Sequence, residues 1–138
     1  MTRGLAVVAV AAVYAAGSAC VDRLPDQDRR ITVTPAVEKL TADDLWKDFQ
    51  TNAEGARRRY WGKAIEVSGR VTRSDADDRP SPYVFFAQAE PYGIRANLLE
   101  DEAAAIIAEA QSGARIRLKC FCDGLDGNVV LKSCIRAQ

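Results

Sequence analysis

The chain has 138 residues, enough for one domain, and its 48% apolar and 28% charged content marks it as globular rather than disordered. Nineteen Lys and Arg balance nineteen Asp and Glu, and there is no His. The missing basic excess argues against a general nucleic-acid binder, whose affinity comes mainly from neutralising phosphates. The missing His removes the commonest general base and the commonest metal ligand.

Met1-Thr2-Arg3 gives a short positive start, and Gly4 to Ala16 is an uninterrupted apolar run. Thirteen residues are too few to span a bilayer core of ~30 Å at ~1.5 Å per residue. Small residues follow, Gly17-Ser18-Ala19, and then Cys20. Residues 1–19 therefore read as a secretory signal peptide. Ser18-Ala19-Cys20 resembles a bacterial lipoprotein box, in which a peptidase cuts just before a Cys that becomes lipidated. Gly17 stands where that box usually holds an aliphatic residue. The resemblance makes Cys20 the lipidation site, and with Val21 rather than Asp after it implies the periplasmic face of the outer membrane.

Residues 20–40 are polar, carry Pro25 and Pro35, and have no sustained periodicity. They read as a tether, with Ile31 to Thr34 at most a short edge strand that Pro35 limits. Thr41 is an N-cap residue with acids at Asp43 and Asp44, and it opens a helix that ends near Gly62. Leu45, Phe49, Ala53, Ala56 and Tyr60 form its apolar stripe. Arg57-Arg58-Arg59 falls in the last turn, where cations suit the helix dipole; an anionic headgroup is the alternative.

Lys63 to Thr72 alternates as a strand, with Ile65, Val67 and Val71 on the apolar face and Gly69 at a bulge or bend. Arg73 to Pro82 is a polar loop, Tyr83 to Ala89 a second strand, and Ile94, Ala96 and Leu98 mark a third. Glu100 to Gln111 is a helix with three acids at its start. Arg115 to Cys122 and Val129 to Ile135 alternate again, around turn chemistry at Asp123 to Asn128. Residues 41–138 thus form a mainly β domain with α: a helix, three strands, a helix and two strands. Five strands with a helix between the third and fourth is the Greek-key barrel order of the OB-fold.

Asn52-x3-Ala56-x3-Tyr60-x-Gly62-Lys63, Glu66-Val67-x-Gly69-x-Val71, Cys122-Asp123-Gly124 and Val130-Leu131-Lys132-x-Cys134 resemble the bacterial tRNA_anti-like family. The resemblance covers roughly residues 40–135. It implies an OB-fold, in a family where many members are expected to be lipoproteins, with no established enzymatic activity or ligand. It also implies a disulfide between Cys122 and Cys134, leaving Cys120 over. By simple alternation those two cysteines lie on opposite sides, so a bulge near the strand end is required.

OB-folds bind ligands on the face of strands two and three. Here Arg70, Tyr83, Phe85 (or Phe86), Arg95 and Asn97 are the candidate ligand face, for stacking and hydrogen bonding; barrel core is the bland alternative for the aromatics. The flanking loops are acidic, with Asp75, Asp77 and Asp78 in one and Asp123 and Asp126 in the other. Their spacing does not match an EF-hand loop. Three thiols without His make a poor zinc site, and Cys120-x-Cys122 lacks the CxxC of a redox motif. No catalytic residues, metal or cofactor are expected. The sequence expectation is a non-catalytic envelope lipoprotein, a binding module for a protein or glycan partner and joined to the membrane through its lipid anchor. A single-stranded nucleic-acid binder and a structural module without a ligand are the alternatives.

Overall fold

The computed structural model describes residues 23–138. Cys20, and with it the signal-peptide and lipidation readings, lies outside the described residues.

The described chain is mainly β, with three α-helices and a seven-stranded sheet. In chain order the elements are β1 (Glu38–Thr41), α1 (Ala42–Thr51), α2 (Ala53–Tyr60), β2 (Ala64–Arg70), β3 (Arg73–Asp75), β4 (Tyr83–Ala89), β5 (Tyr92–Leu98), α3 (Glu100–Gln111), β6 (Arg115–Asp126) and β7 (Asn128–Arg136). The sheet order is β1-β2-β6-β7-β5-β4-β3. β1–β2 and β5–β7 are parallel, and the other neighbours antiparallel. β2 and β3 are joined by only Val71 and Thr72, yet β2 pairs with β6 while β3 pairs with β4. The sheet is therefore curled around its core.

Two strands exceed the expected five. β3 falls within the expected polar loop, and β1 lies in the expected tether. The expected helix from Thr41 to Gly62 is two helices. Asn52 breaks it: its N–H closes α1 on Asp48 O, and its Oδ1 caps α2 by accepting the Gly55 N–H at 3.0 Å. The apolar stripe survives the break except at Ala53, which is exposed; Leu45, Phe49, Ala56 and Tyr60 are all buried. Thr41 caps α1 as expected, its Oγ1 accepting the Asp44 N–H at 3.1 Å. α3 has the bounds read from the sequence and buries Ala103, Ile106, Ile107 and Ala110. These side chains share one core with Ile65, Val67, Val84, Phe86, Ile94, Leu98, Leu118 and Leu131.

The described part of the expected tether is not free. Arg29–Thr32 is a 3-10 turn rather than a strand, and its Ile31 is fully buried against Ala64, Leu99 and Ile135. This segment straps over the outer side of the sheet, where polar side chains hold it. Gln27 Nε2 donates to Ser81 Oγ at 2.8 Å, and Gln27 Oε1 accepts the Glu100 N–H at 2.9 Å. The expectation failed because one isoleucine and a set of side-chain-to-backbone bonds make no periodic pattern.

β6 and β7 carry two bulges, and both serve the strap. Between the pairs Lys119↔Ile135 and Phe121↔Lys132, β7 has one residue more than β6. Ser133 takes φ +58 there, a left-handed conformation uncommon for a residue with a Cβ. Its Oγ accepts the Asp28 N–H at 2.8 Å. At the second bulge, between Cys122 and Gly124, Asp123 is the extra residue. Its Oδ1 accepts the Leu24 N–H at 3.2 Å.

The Ser133 bulge also corrects the disulfide. Cys120 and Cys134 are bridged, and Cys122 is free and buried. A bulge was needed to bring Cys134 inward, and it exists. The extra residue places Cys134 beside Cys120, the residue between Lys119 and Phe121, whereas Cys122 pairs with Leu131 one step further along.

Candidate functional site

The outer face of β3, β4 and β5 is built from alternation. Val84 and Phe86 point into the core, so Tyr83 and Phe85 point away from it. Tyr83 pairs with Asn97, and Phe85 pairs with Arg95 on one side and Arg73 on the other. An outward Phe would ordinarily be wet, yet Phe85 is only 1% exposed. The Arg73 guanidinium lies over its ring, 3.7 Å from the centroid. Arg95 does the same for Tyr83, at 3.9 Å. Arg95 is fixed further by Asn97 Oδ1, which accepts its Nε–H at 2.9 Å, and by Asp78 Oδ2 at 2.5 Å. The Arg95 hydrogen bond holds the Asp78 carboxyl below its ordinary pKa, so Asp78 stays ionised. Gly93 completes the face from below: a Cβ there would meet Phe85 Cζ at 2.9 Å and Phe86 O at 2.2 Å.

Four of the five candidate residues thus come together: Tyr83, Phe85, Arg95 and Asn97. Arg70 does not join them. It sits at the end of β2 opposite Arg115, in a cleft of about 290 Å³ that Ser68, Thr72 and Gln88 also line. Two further residues complete the face. Asp78 stands in the sequence as an acid of the flanking loop, with nothing to show that it turns back onto Arg95. Arg73 lies past the Val71–Thr72 bend, where the inside–outside phase of β2 changes, so period-two reading does not place it beside Phe85.

The remaining sequence candidates have structural partners. Arg59 bonds Glu38 at 2.6 Å and Arg58 bonds Glu54 at 3.2 Å, so the Arg57-Arg58-Arg59 turn is in part an ion-paired surface. Asp123 faces Lys132 rather than an open rim, with Nζ 3.5 Å from its Oδ2. Tyr60 O–H donates to Asp48 Oδ2 at 2.5 Å, and burial with that bond raises the phenol pKa. Burial pushes the Cys122 thiol up to about 12. Among the described residues no group of three or more His, Cys, Asp or Glu could hold a metal ion.

The tRNA_anti-like family model matches residues 3–135. The chain belongs to the tRNA_anti-like family. No curated protein matches it. One solved structure that resembles this family member is that of a putative nucleic acid-binding lipoprotein from Klebsiella pneumoniae subsp. pneumoniae MGH 78578. The two share 14% identity with a TM-score of 0.50, over 80% of this chain and 98% of the Klebsiella chain. At that identity the likeness speaks for the fold alone.

Proposed function

We propose that this tRNA_anti-like protein is a non-catalytic, lipid-anchored module of the cell envelope that binds a protein partner on the outer face of β3, β4 and β5. In this reading β2 and β3 are one bent strand of an OB barrel, β4 to β7 are its other four strands, and β1 is an added edge. The observation that carries the partner class is the pair of capped rings. A nucleobase or a sugar ring binds an OB face by stacking on an exposed aromatic. Here the outward rings of Phe85 and Tyr83 already lie under guanidinium groups at 3.7 and 3.9 Å. What the face offers instead is planar cations, an amide and a carboxylate, a mixed polar surface of the kind another protein can match.

A single-stranded nucleic acid is the second reading, favoured by the description of the Klebsiella protein. Against it stand the balanced charge of the chain and the acids of the β3–β4 loop. Titration of a fluorescent oligonucleotide at low ionic strength separates the two. The expected outcome is no binding; salt-dependent binding that Arg73→Ala and Arg95→Ala weaken would overturn the protein reading.

The address rests on Ser18-Ala19-Cys20, and the outer membrane on Val21. Globomycin, which blocks lipoprotein signal peptidase, is expected to make an unprocessed precursor accumulate. Unchanged processing, with Cys20→Ser releasing nothing from membranes, would sink the lipid anchor.

A further inference from the structure

The strap fixes where the chain leaves the domain. The Leu24 N–H is held by Asp123, and the Leu24 carbonyl accepts Lys132 Nζ–H at 3.0 Å. Lys132 also pairs with Asp26 at 3.2 Å. Both belong to the β6–β7 hairpin: Asp123 lies two residues before Leu125, and Lys132 lies in the middle of β7, paired with Phe121. Four peptide steps separate Cys20 from Leu24, and whatever their conformation they reach at most about 14 Å. A lipid on Cys20 therefore brings this hairpin to the bilayer surface; the inference rests on the lipid anchor proposed above.

The hairpin tip carries two apolar side chains left about half exposed. Leu125, two residues beyond Asp123, is 41% exposed, and Tyr92 is 49% exposed. Tyr92 belongs to the same tip, since its ring would lie 3.4 Å from a Cβ at Gly127 and its neighbour Gly93 donates to Asn128 Oδ1. Trp61, half-buried with the Arg57 guanidinium 5.4 Å from its ring centroid, flanks the base of the tip, bridging Cys122 and facing Gly124. Tyrosine and tryptophan beside an aliphatic residue suit the headgroup boundary of a bilayer. A chain already tethered there needs only a weak contact to hold one orientation, because its effective concentration at the surface is high.

The geometry points to the tip of the β6–β7 hairpin as a membrane-contact surface, with Leu125 and Tyr92 set into the lipid interface. With the acid Asp126 at the tip, the contact would rest on Leu125 and Tyr92 and not on attraction to anionic lipid. The opposite end of β6, at the α3–β6 turn, then points away from the membrane.

The test uses the full-length lipidated protein in phosphatidylethanolamine and phosphatidylcholine vesicles. An environment-sensitive fluorophore is placed at Leu125→Cys or, as the control, at Gln111→Cys beside the α3–β6 turn. Vesicle flotation reports anchoring, and emission wavelength with aqueous iodide quenching reports depth. The expected result is a blue shift and protection from iodide at position 125 alone, with Tyr92→Asp weakening the protection while flotation persists. Flotation with equal, water-like emission at both positions would overturn the membrane-contact tip and leave the anchor standing. Failure to float would overturn the anchor and this inference with it.

Discussion

Cys134 reaches Cys120 because Ser133 adds one residue to β7, and the bridge closes a chain segment of 14 residues' separation. A loop of that size is stabilised by roughly 2–4 kcal/mol when bridged. Reduction, Cys120→Ala and Cys134→Ala are each expected to lower the melting temperature by several degrees, and Cys122→Ala to cost only its packing. Peptide mapping of the non-reduced protein checks the assignment; a Cys122–Cys134 peptide would contradict it. The Cys122 thiol, buried and with its pKa up at about 12, is expected to resist alkylation at neutral pH until the protein unfolds. At the face, the Arg95 bond lowers the Asp78 pKa relative to the unfolded chain. A lowered carboxylate stabilises above the unfolded value and loses that contribution as pH falls through the folded one. The β3–β4 loop is therefore expected to hold its conformation from about pH 5 to 8 and to loosen only in stronger acid. Hydrogen exchange across residues 76–80 checks this, and Asp78→Asn should remove the acid-dependent step.

At the scale of elements, the strap is the part whose role most needs testing. Ile31 is its one fully buried apolar side chain, filling a small cluster on the outer side of β2 and β7. Ile31→Ala is expected to cost about 3 kcal/mol, within the range for emptying a buried Ile site. Lys132→Ala should leave Asp26 and Asp123 facing each other without a cation, and should open the segment from Leu24 to Thr32 to protease before the sheet unfolds. Urea unfolding gives the first quantity and limited proteolysis the second; an unchanged cleavage pattern would mean the strap is not held by Lys132. The contrast with other elements explains what a sequence can convey. β4, α3 and the pairing of β6 with β7 were legible because each repeats an apolar position at its own period, although the expected turn from Asp123 to Asn128 is strand on both sides of Gly127. The helix break at Asn52 carried a visible cap residue, but the apolar stripe ran straight through it. The Ser133 bulge had no glycine or asparagine to announce it, so the register of β7, and with it the disulfide, was hidden. The face of Tyr83, Phe85, Arg95 and Asn97 follows from the expected OB-fold ligand surface, with Phe85 and Phe86 told apart only by the strand's phase in the structure, whereas Arg73 and Asp78 depend on how a bend and a loop return to it.

For the whole molecule, no helix among the described residues is long and apolar enough to cross a membrane. The membrane-contact tip inferred above would place the Tyr92 end of the domain at the bilayer. Tyr83 and Asn97 sit at the opposite end of the β4–β5 pair from Tyr92, so the Arg95 cluster would face away from the membrane. That arrangement leaves the face free for a partner in the compartment beyond. The most direct measurement is photo-crosslinking in intact cells, with a benzophenone side chain at exposed Asp75 beside Tyr83 and, separately, at exposed Glu54 on α2. The account expects a discrete protein adduct from position 75 that disappears when Arg95→Ala is added, and none from position 54. A nucleic-acid adduct at position 75, or the same adducts from both positions regardless of Arg95, would contradict it.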